Sequence, residues 1–430
     1  MGQGRASRGH QGTVREDHQD ALSRVDGARL WARHMEMAEI GAIPGGGVNR
    51  AAYSAEDIRA RHLLVSWAKA RGFSVSVDAI GNLFVRRAGT DADAAPVLSG
   101  SHMDSQPRGG RFDGIYGVLA ALEALEAIEA AGVKTRRAIE LVAWSNEEGG
   151  RFQPCTMGSA VYTGARALDD FLEVTDNAGI ALRDALAQTL EALPEVSPRG
   201  FNVPAAAYIE AHIEQGPLLE TQGRTIGVVT GIQGLRWFNV EVSGKTDHAG
   251  TTPLRLRKDA LRSAIRIIDA LEELTRDASD IVRFTVGRML VTPNSPNSVA
   301  SHVLFSVDIR HPDPQTIAKL GAAVEPLAKK WAAPCEVEVT PTLHDDPCMF
   351  DPSVVDTIEC AAQRLGLTHM RLPSGASHDA MYMSRVCPTG MIFVPCEGGV
   401  SHNEAENAEP EDLAAGARVL TAALLDLANR

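Results

Sequence analysis

Apolar and polar positions alternate with two different periods along this chain, and the change of period marks out its elements. From Asp17 to Ala38 and from Ser54 to Arg71 the apolar positions recur at helical spacing. The second of these helices opens on SAED, an acidic first turn. Phe73–Val77 and Leu83–Arg86 read as short strands about the turn at Gly81-Asn82. Pro96–Ser101 is a strand, Gly114–Ala131 a helix and Ala138–Ser145 a second continuous apolar strand. Val203–Ile213 adds another strand, carrying Glu210, His212 and Glu214 on alternate positions. This alternation predicts a doubly wound α/β layer.

After Gly227 the pattern shifts. LRWFNVEVSG, the helix Lys258–Thr275, IVRFTVGRML, VASHVLFSVDIRH, the helix Pro314–Trp331 and CEVEVTP follow as strand, helix, strand, strand, helix, strand. That order is the signature of a ferredoxin-like α+β unit inserted into the first domain, over 228–342. From His344 the α/β pattern resumes with a helix at Ser353–Leu365, a strand at Met391–Val394 and a closing helix at Glu411–Leu427. Residues 20–227 and 343–430 are thus expected to form one domain, and the polar residues 1–19 a flexible extension without the apolar core of a signal peptide.

Composition narrows the class. A chain of 430 residues is too long for one ordinary core. Its net charge of −13 and lack of a long basic run argue against a nucleic-acid surface. Val118–Val133, a long apolar stretch, is interrupted by Glu123, Glu126 and Glu129, so no membrane span is expected. Cys155, Cys335, Cys348, Cys360, Cys387 and Cys396 form no CxxC, which with no export signal suggests reduced thiols and a cytoplasmic setting.

The candidate chemistry gathers where apolar strands end. In VLSGSHMDSQPRGGRFDGIYG, His102 ends a strand and Asp113 opens the next helix, at the boundary where α/β sheets collect ligands. His with carboxylate is a donor set that suits zinc. His212 in EAHIEQG and His402 in GGVSHNE have similar settings, whereas His10, His18, His34, His62 and His369 read as surface residues. Any one of the three alone is more economically a structural histidine; three together favour ligands. Glu147-Glu148 caps the apolar strand AIELVAWSN and precedes two glycines, so both carboxylates should face a cleft. Adjacent carboxylates repel unless a cation pairs with one. A natural division makes Glu148 a ligand and Glu147 a general base. In VLFSVDIRH the even positions Leu304, Ser306, Asp308 and Arg310 share one strand face; Arg310 is either a solvated partner of Asp308 or a fork for a carboxylate.

Taken in order, GSHMDSQPRGGRFDG, SNEEGGRF, EAHIEQGP, DHAGTTP, NSPN, DIRH, SGASHDA and GGVSHNEAE resemble the hydantoinase/carbamoylase group of dinuclear zinc amidohydrolases, relatives of aminoacylases and co-catalytic zinc exopeptidases. The resemblance runs from about residue 20 to the end. It implies two divalent ions per subunit, zinc first, with manganese, cobalt or nickel also suited to the ligands. Asp113 would bridge them, His102 and His212 would complete one site, and Glu148 and His402 the other. Asp104 would fix the tautomer of His102, Glu147 would act as base, and His248 would stabilise the oxyanion. Gln215, Asn297, Arg310 and the Gly375-Ala376 backbone would bind substrate. Ser377 departs from the family's usual glycine and bears on substrate preference. The implied activity is hydrolysis of the ureido C–N bond of an N-carbamoyl-L-amino acid by a homodimer whose inserted domain serves as lid and dimerisation surface. Allantoate and N-carbamoyl-β-alanine are the alternative substrates, and a catalytically silent metal-binding scaffold is the remote one.

Overall fold

The computed structural model describes residues 18–430, which divide into two compact units. One takes in the described residues up to Thr230 together with Met349–Arg430; the other is Gly231–Cys348. Of the expected extension over 1–19, residues 1–17 lie outside the described residues, and His18 and Gln19 are helical.

The first unit begins with α1 (Gly27–Ala38), α2 (Ala55–Ala70), β1 (Ser74–Val77), β2 (Leu83–Arg87) and β3 (Val97–His102). Then come α3 (Ile115–Ala130), β4 (Ile139–Trp144), β5 (Ser197–Pro198), β6 (Ala207–Ile213) and β7 (Ile226–Ile232). The second unit holds β8 (Gly234–Ser243), α4 (Ala260–Thr275), β9 (Arg283–Thr285), β10 (Met289–Thr292), β11 (His302–His311), α5 (Pro314–Ala332) and β12 (Glu336–Asp345). The chain closes with β13 (Cys348–Met349), α6 (Pro352–Arg364), β14 (His369–Ser374), β15 (Thr389–Val394) and α7 (Pro410–Ala428).

The larger sheet runs β13-β7-β15-β6-β3-β4-β2-β1-β5, with β14 joined to β7. Its centre is parallel: β15 with β6, β6 with β3, and β3 with β4. Those four strands are buried along their whole length, as a parallel layer covered on both faces requires. β2 beside β4 and β7 beside β15 are antiparallel, so the α/β layer is a mixed sheet. Helix α3 is buried from Ile115 to Ile128 because the sheet lies on one side and α7 on the other. The expected helices and central strands of this unit fall within a few residues of their places. The turn-bound helix Leu182–Glu191, β7 and β14 carry weaker patterns and were not anticipated.

Two expectations near the start are corrected. Residues 18–23 are helical, but the chain breaks before α1, where the Asp26 carboxylate accepts the Arg29 N–H at 3.0 Å and starts a new helix. His34 is fully buried, not at the surface. It shares the inward stripe of α1 with Leu30 and Met37 and packs on Phe112 and Tyr116, at ring-centre distances of 5.3 and 6.0 Å. Burial pushes its pKa down to about 3.

In the smaller unit the sheet order is β10-β11-β8-β12, with β9 also on β11. Counting β9 and β10 as one broken strand, this is the ferredoxin-like order of second, third, first and fourth strands. IVRFTVGRML reads as a single strand in the sequence; here it breaks between Thr285 and Met289, where the Arg288 N–H turns to Ser306 Oγ at 3.1 Å. Helices α4 and α5 cover one face, burying Phe238, Val240 and Val242 of β8 against Val303, Phe305, Val307 and Ile309 of β11. The opposite face, with Trp237, Asn239, Ser306, Asp308 and Arg310, is not fully buried at any of these positions.

Glu123 and Glu126, which interrupt the apolar run of α3, are buried and answered by basic residues of α1 and α2's end. Arg29 donates to both Glu123 oxygens at 2.6 and 2.8 Å, Arg33 reaches Glu126 at 2.8 Å and Arg71 reaches it at 3.3 Å. Removing one partner strands a buried charge, while replacing both with apolar groups does not. Arg29→Leu should therefore destabilise the fold by about 3–5 kcal/mol at most, and Arg29→Leu with Glu123→Leu should recover more than half of the loss. Denaturant unfolding of the two variants checks this; equal destabilisation by both would show that the pair does not act as a unit.

Candidate metal centre

The carboxyl ends of the central parallel strands bring the expected residues of the first unit together. His102 is the last residue of β3, Glu147 and Glu148 follow β4, and His212 is the penultimate residue of β6. Asp113 precedes α3, and His402 lies in the loop before α7. Side-chain atoms of His102, Asp113 and His212 lie within 4.8 Å of one another, and those of Asp113, Glu148 and His402 form a second such set. Asp113 belongs to both.

Each oxygen of Asp113 faces its own set. Oδ1 is 3.2 Å from His212 Nε2 and 3.7 Å from His102 Nε2, while Oδ2 is 3.2 Å from His402 Nε2. Glu148 Oε2 is 3.4 Å from the same His402 nitrogen. Zinc bonds of about 2.0–2.2 Å to nitrogen and oxygen give tetrahedral ligand-to-ligand edges of about 3.3–3.6 Å, so these spacings suit a divalent cation. The imidazoles are also turned the right way. Nδ1 of His102 donates to the Asp104 carbonyl and Nδ1 of His212 to the Ile213 carbonyl, each at 2.9 Å, which leaves both Nε2 atoms facing Asp113. The donor set and the imidazole orientation both fit a pair of divalent ions.

Electrostatics point the same way. Burial, then Asp113, raises Glu148 to about 8. Glu147 is pushed well above its ordinary range by burial, then by Asp379 and Glu148. Asp113 stays ionised: burial works against its charge, but hydrogen bonds from His212 and His402 hold its pKa well below the usual range. The Asp113 hydrogen bond raises His402 to about 9. In His212 burial opposes the charge, yet the bond to Asp113 prevails and the pKa rises to about 9. His102, farther from Asp113, is dominated by burial and falls to about 4. So many buried carboxylates are costly unless cations answer them.

The supporting contacts differ from expectation in one respect. It is the main-chain oxygen of Asp104, not its carboxylate, that orients His102; the carboxylate is 3.9 Å away. That carboxylate instead accepts the Glu147 and Glu148 N–H groups, both at 3.1 Å, and so aims the two glutamates. Glu406 was not singled out in the sequence although it lies in GGVSHNEAE. It accepts the N–H groups of Phe112 and Asp113 at 2.9 and 3.0 Å and Ser401 Oγ at 2.9 Å, fixing the loop that presents Asp113. Glu210, His378 and Asp379 are also buried nearby: His378 packs edge-on to His212 at 4.6 Å between ring centres.

Among the expected substrate residues of this unit, Gln215 donates to Asp113 Oδ2 at 2.9 Å, at the edge of the cluster. The Ala376 N–H is already taken by Ser374 Oγ at 3.1 Å, in the loop shared with Gly375 and Ser377. In the other unit His248 is exposed, and its Nδ1 accepts the N–H groups of Gly250 and Thr251 at 3.0 and 3.3 Å, so that Nε2 carries the proton. The Asn297 carbonyl accepts the Ala249 N–H at 3.0 Å, placing the two loops side by side. Arg310 is paired with Asp308, Nη2 to Oδ2 at 2.9 Å, as the simpler of its two readings expects.

The chain has close relatives. Residues 98–426 match peptidase family M20/M25/M40. The N-carbamoyl-L-amino-acid amidohydrolase of Rhizobium meliloti is 41% identical over 411 residues, covering 94% of this chain and 97% of that protein. The allantoate amidohydrolase of Escherichia coli is 34% identical over 397 residues, covering 91% and 96%. A crystal structure of a hydantoinase/carbamoylase family amidase from Burkholderia multivorans matches with a TM-score of 0.91 at 46% identity, over 95% of this chain and 99% of that one.

Gly114 offers a test of the geometry. It sits at φ +67°, and a Cβ there would lie 2.2–2.4 Å from the His102 ring. Besides the roughly 1–3 kcal/mol that an L-residue loses at φ +67° and ψ −54°, a turn conformation outside the left-handed helical well, Gly114→Ala should push His102 out of place. We expect the variant to fold but to retain about one divalent ion fewer per chain by elemental analysis. Unchanged metal content would mean that His102 is not a ligand.

Proposed function

The chain belongs to peptidase family M20/M25/M40, and from that premise we propose that it hydrolyses the ureido C–N bond of N-carbamoyl-L-amino acids to amino acid, carbon dioxide and ammonia. The observation that carries the proposal is the pair of ligand sets sharing Asp113 with Glu147 beside them. In this reading His102, Asp113 and His212 hold one divalent ion and Asp113, Glu148 and His402 the other, with zinc the first choice and manganese, cobalt or nickel also suited. When bound, the ions polarise the scissile carbonyl and acidify the attacking water.

Glu147 then takes the proton of that water. Its Oε2 lies 3.6 Å from His102 Nε2, so the carboxylate is at the cluster without being in either ligand set. Burial and the neighbouring carboxylates raise its pKa; cations answering that negative charge would leave it ionised, as a base must be, and able to return the proton to the leaving nitrogen. Nε2–H of His248 supplies a donor for the tetrahedral oxyanion. Arg310 exchanges Asp308 for the substrate α-carboxylate, with Gln215 completing the polar contacts and the Gly375-Ala376 loop a wall of the site. Asn297 and His248 lie at the other end of β11 from Arg310 and would reach the same substrate from a partner subunit. We further propose a homodimer, with the ferredoxin-like unit as lid and dimerisation surface. Allantoate is the second reading, favoured by the 34% identity to an allantoate amidohydrolase.

Ammonia release from N-carbamoyl amino acids, N-carbamoyl-β-alanine and allantoate, before and after chelation, tests the function. Activity should vanish on chelation and return with zinc or manganese. Glu147→Gln should keep its metal and lose about 10²–10⁴-fold in kcat, whereas Glu148→Gln should lose metal first. The reverse pattern would exchange the two roles, and full activity of a metal-free preparation would overturn the mechanism.

A further inference from the structure

The open face of the smaller unit's sheet has one feature that its polar character does not explain. Trp237 of β8 stands opposite Asp308 of β11 on one side and Leu343 of β12 on the other. Trp237 is 40% exposed and Leu343 38%. Around them the same face carries Asn239, Glu241, Ser306 and Asp308, so a large indole in this position is left uncovered rather than used as core. Beside it is a cavity of about 430 Å³ walled by Trp237, Asn239, Arg288 and Asp308. Its volume falls in the range of about 300–1,000 Å³ typical of small-molecule sites.

The cavity follows from local structure. Where β9 gives way to β10, the backbone at Gly287-Arg288 leaves strand pairing and lines the cavity rim. The Arg288 side chain donates to Asn239 Oδ1 at 2.9 Å, and both residues line the cavity. A continuous strand would have filled this space with regular side chains.

Arg310 is the next residue of β11 on the same face. It pairs with Leu235, two residues before Trp237 on β8, which makes Arg310 and Trp237 diagonal neighbours across the ladder. Such neighbours are about 7–8 Å apart, close enough for one amino acid to touch both with long or aromatic groups. We infer that Trp237 and this cavity receive the side chain of the substrate, and that the preferred side chain is a large neutral aromatic one. The inference rests on reading Arg310 as the holder of the α-carboxylate. With the carboxylate on the Arg310 fork, the diagonal spacing leaves the indole within reach of the substrate's side chain, where an aromatic ring can stack on it or meet it edge-on. An acidic side chain would be disfavoured, because it would bring a second carboxylate to Asp308 just as Asp308 gives up its own partner. Allantoate, with a second ureido group in place of a ring, would gain nothing from the indole.

The test is kcat/KM for N-carbamoyl-L-phenylalanine, N-carbamoyl-L-glutamate, N-carbamoylglycine and allantoate, with the metal-loaded wild type, Trp237→Ala and Trp237→Phe. Wild type should favour the phenylalanine derivative over the glycine one by tenfold or more. Trp237→Ala should cut the phenylalanine value by about 10–100-fold, the range that one methylene-sized contact in an apolar pocket can discriminate, and leave N-carbamoylglycine within about threefold. Trp237→Phe should restore most of the preference. An equal loss for all four substrates would make Trp237 structural, and a wild type that prefers glutamate, glycine or allantoate would overturn the inference while leaving ureido hydrolysis intact. If no ureido compound is hydrolysed, the parent reading and this one fall together.

Discussion

A single buried carboxylate governs the larger unit. Asp113 stays ionised in a site that disfavours charge because three imidazole nitrogens face its two oxygens. That arrangement places the end of β3, the end of β6, the start of α3 and the loop before α7 around one side chain. Glu406 grips the backbone N–H groups of Phe112 and Asp113, and Asp104 those of Glu147 and Glu148. Two carboxylates thus do positional work on main-chain amides so that three others can face one another. Carboxylates that must otherwise hold protons, Glu148 raised to about 8 and Glu147 well above its ordinary range, are the physical reason to expect divalent cations here.

The parallel centre of the sheet makes this possible. Its strands are buried on both faces along their whole length, so the reactive side chains collect at and just past their carboxyl ends. Helix α3, buried on almost every side, cannot tilt away from the sheet without exposing a large apolar surface. Its first turn, and Asp113 with it, is therefore held by the core. Gly114 lets the chain pass within contact distance of the His102 ring, a passage closed to any residue with a Cβ.

Much of this was legible in the sequence because strand ends announce themselves: an apolar run stops, and His, Asp or Glu follows. His102, Asp113, Glu147, Glu148 and His212 were found that way, His402 by its Gly-rich loop with a carboxylate near and Arg310 by strand alternation; the motif resemblance added Gln215, His248 and Asn297. What the sequence hid depends on atoms rather than residue types. Whether the carbonyl or the carboxylate of Asp104 meets His102 is a matter of loop conformation. His34 looks polar in a mixed helix, yet its place on the inward stripe with Leu30 and Met37 buries it. The break between β9 and β10 leaves no mark but Gly287 in an otherwise strand-like run. Glu406 looked like one more acid in an acidic loop, since nothing local says that its carboxylate bonds to amides nearly 300 positions away.

The claim on which the account stands is that Asp113 serves two ions at once. Metal content per chain, measured by elemental analysis after equilibration with limiting zinc, tests it through Asp113→Asn beside His212→Asn. Wild type should hold two ions, His212→Asn should lose one, and Asp113→Asn, which touches both ligand sets, should lose both together. An Asp113→Asn protein that keeps one tightly bound ion would contradict the shared carboxylate.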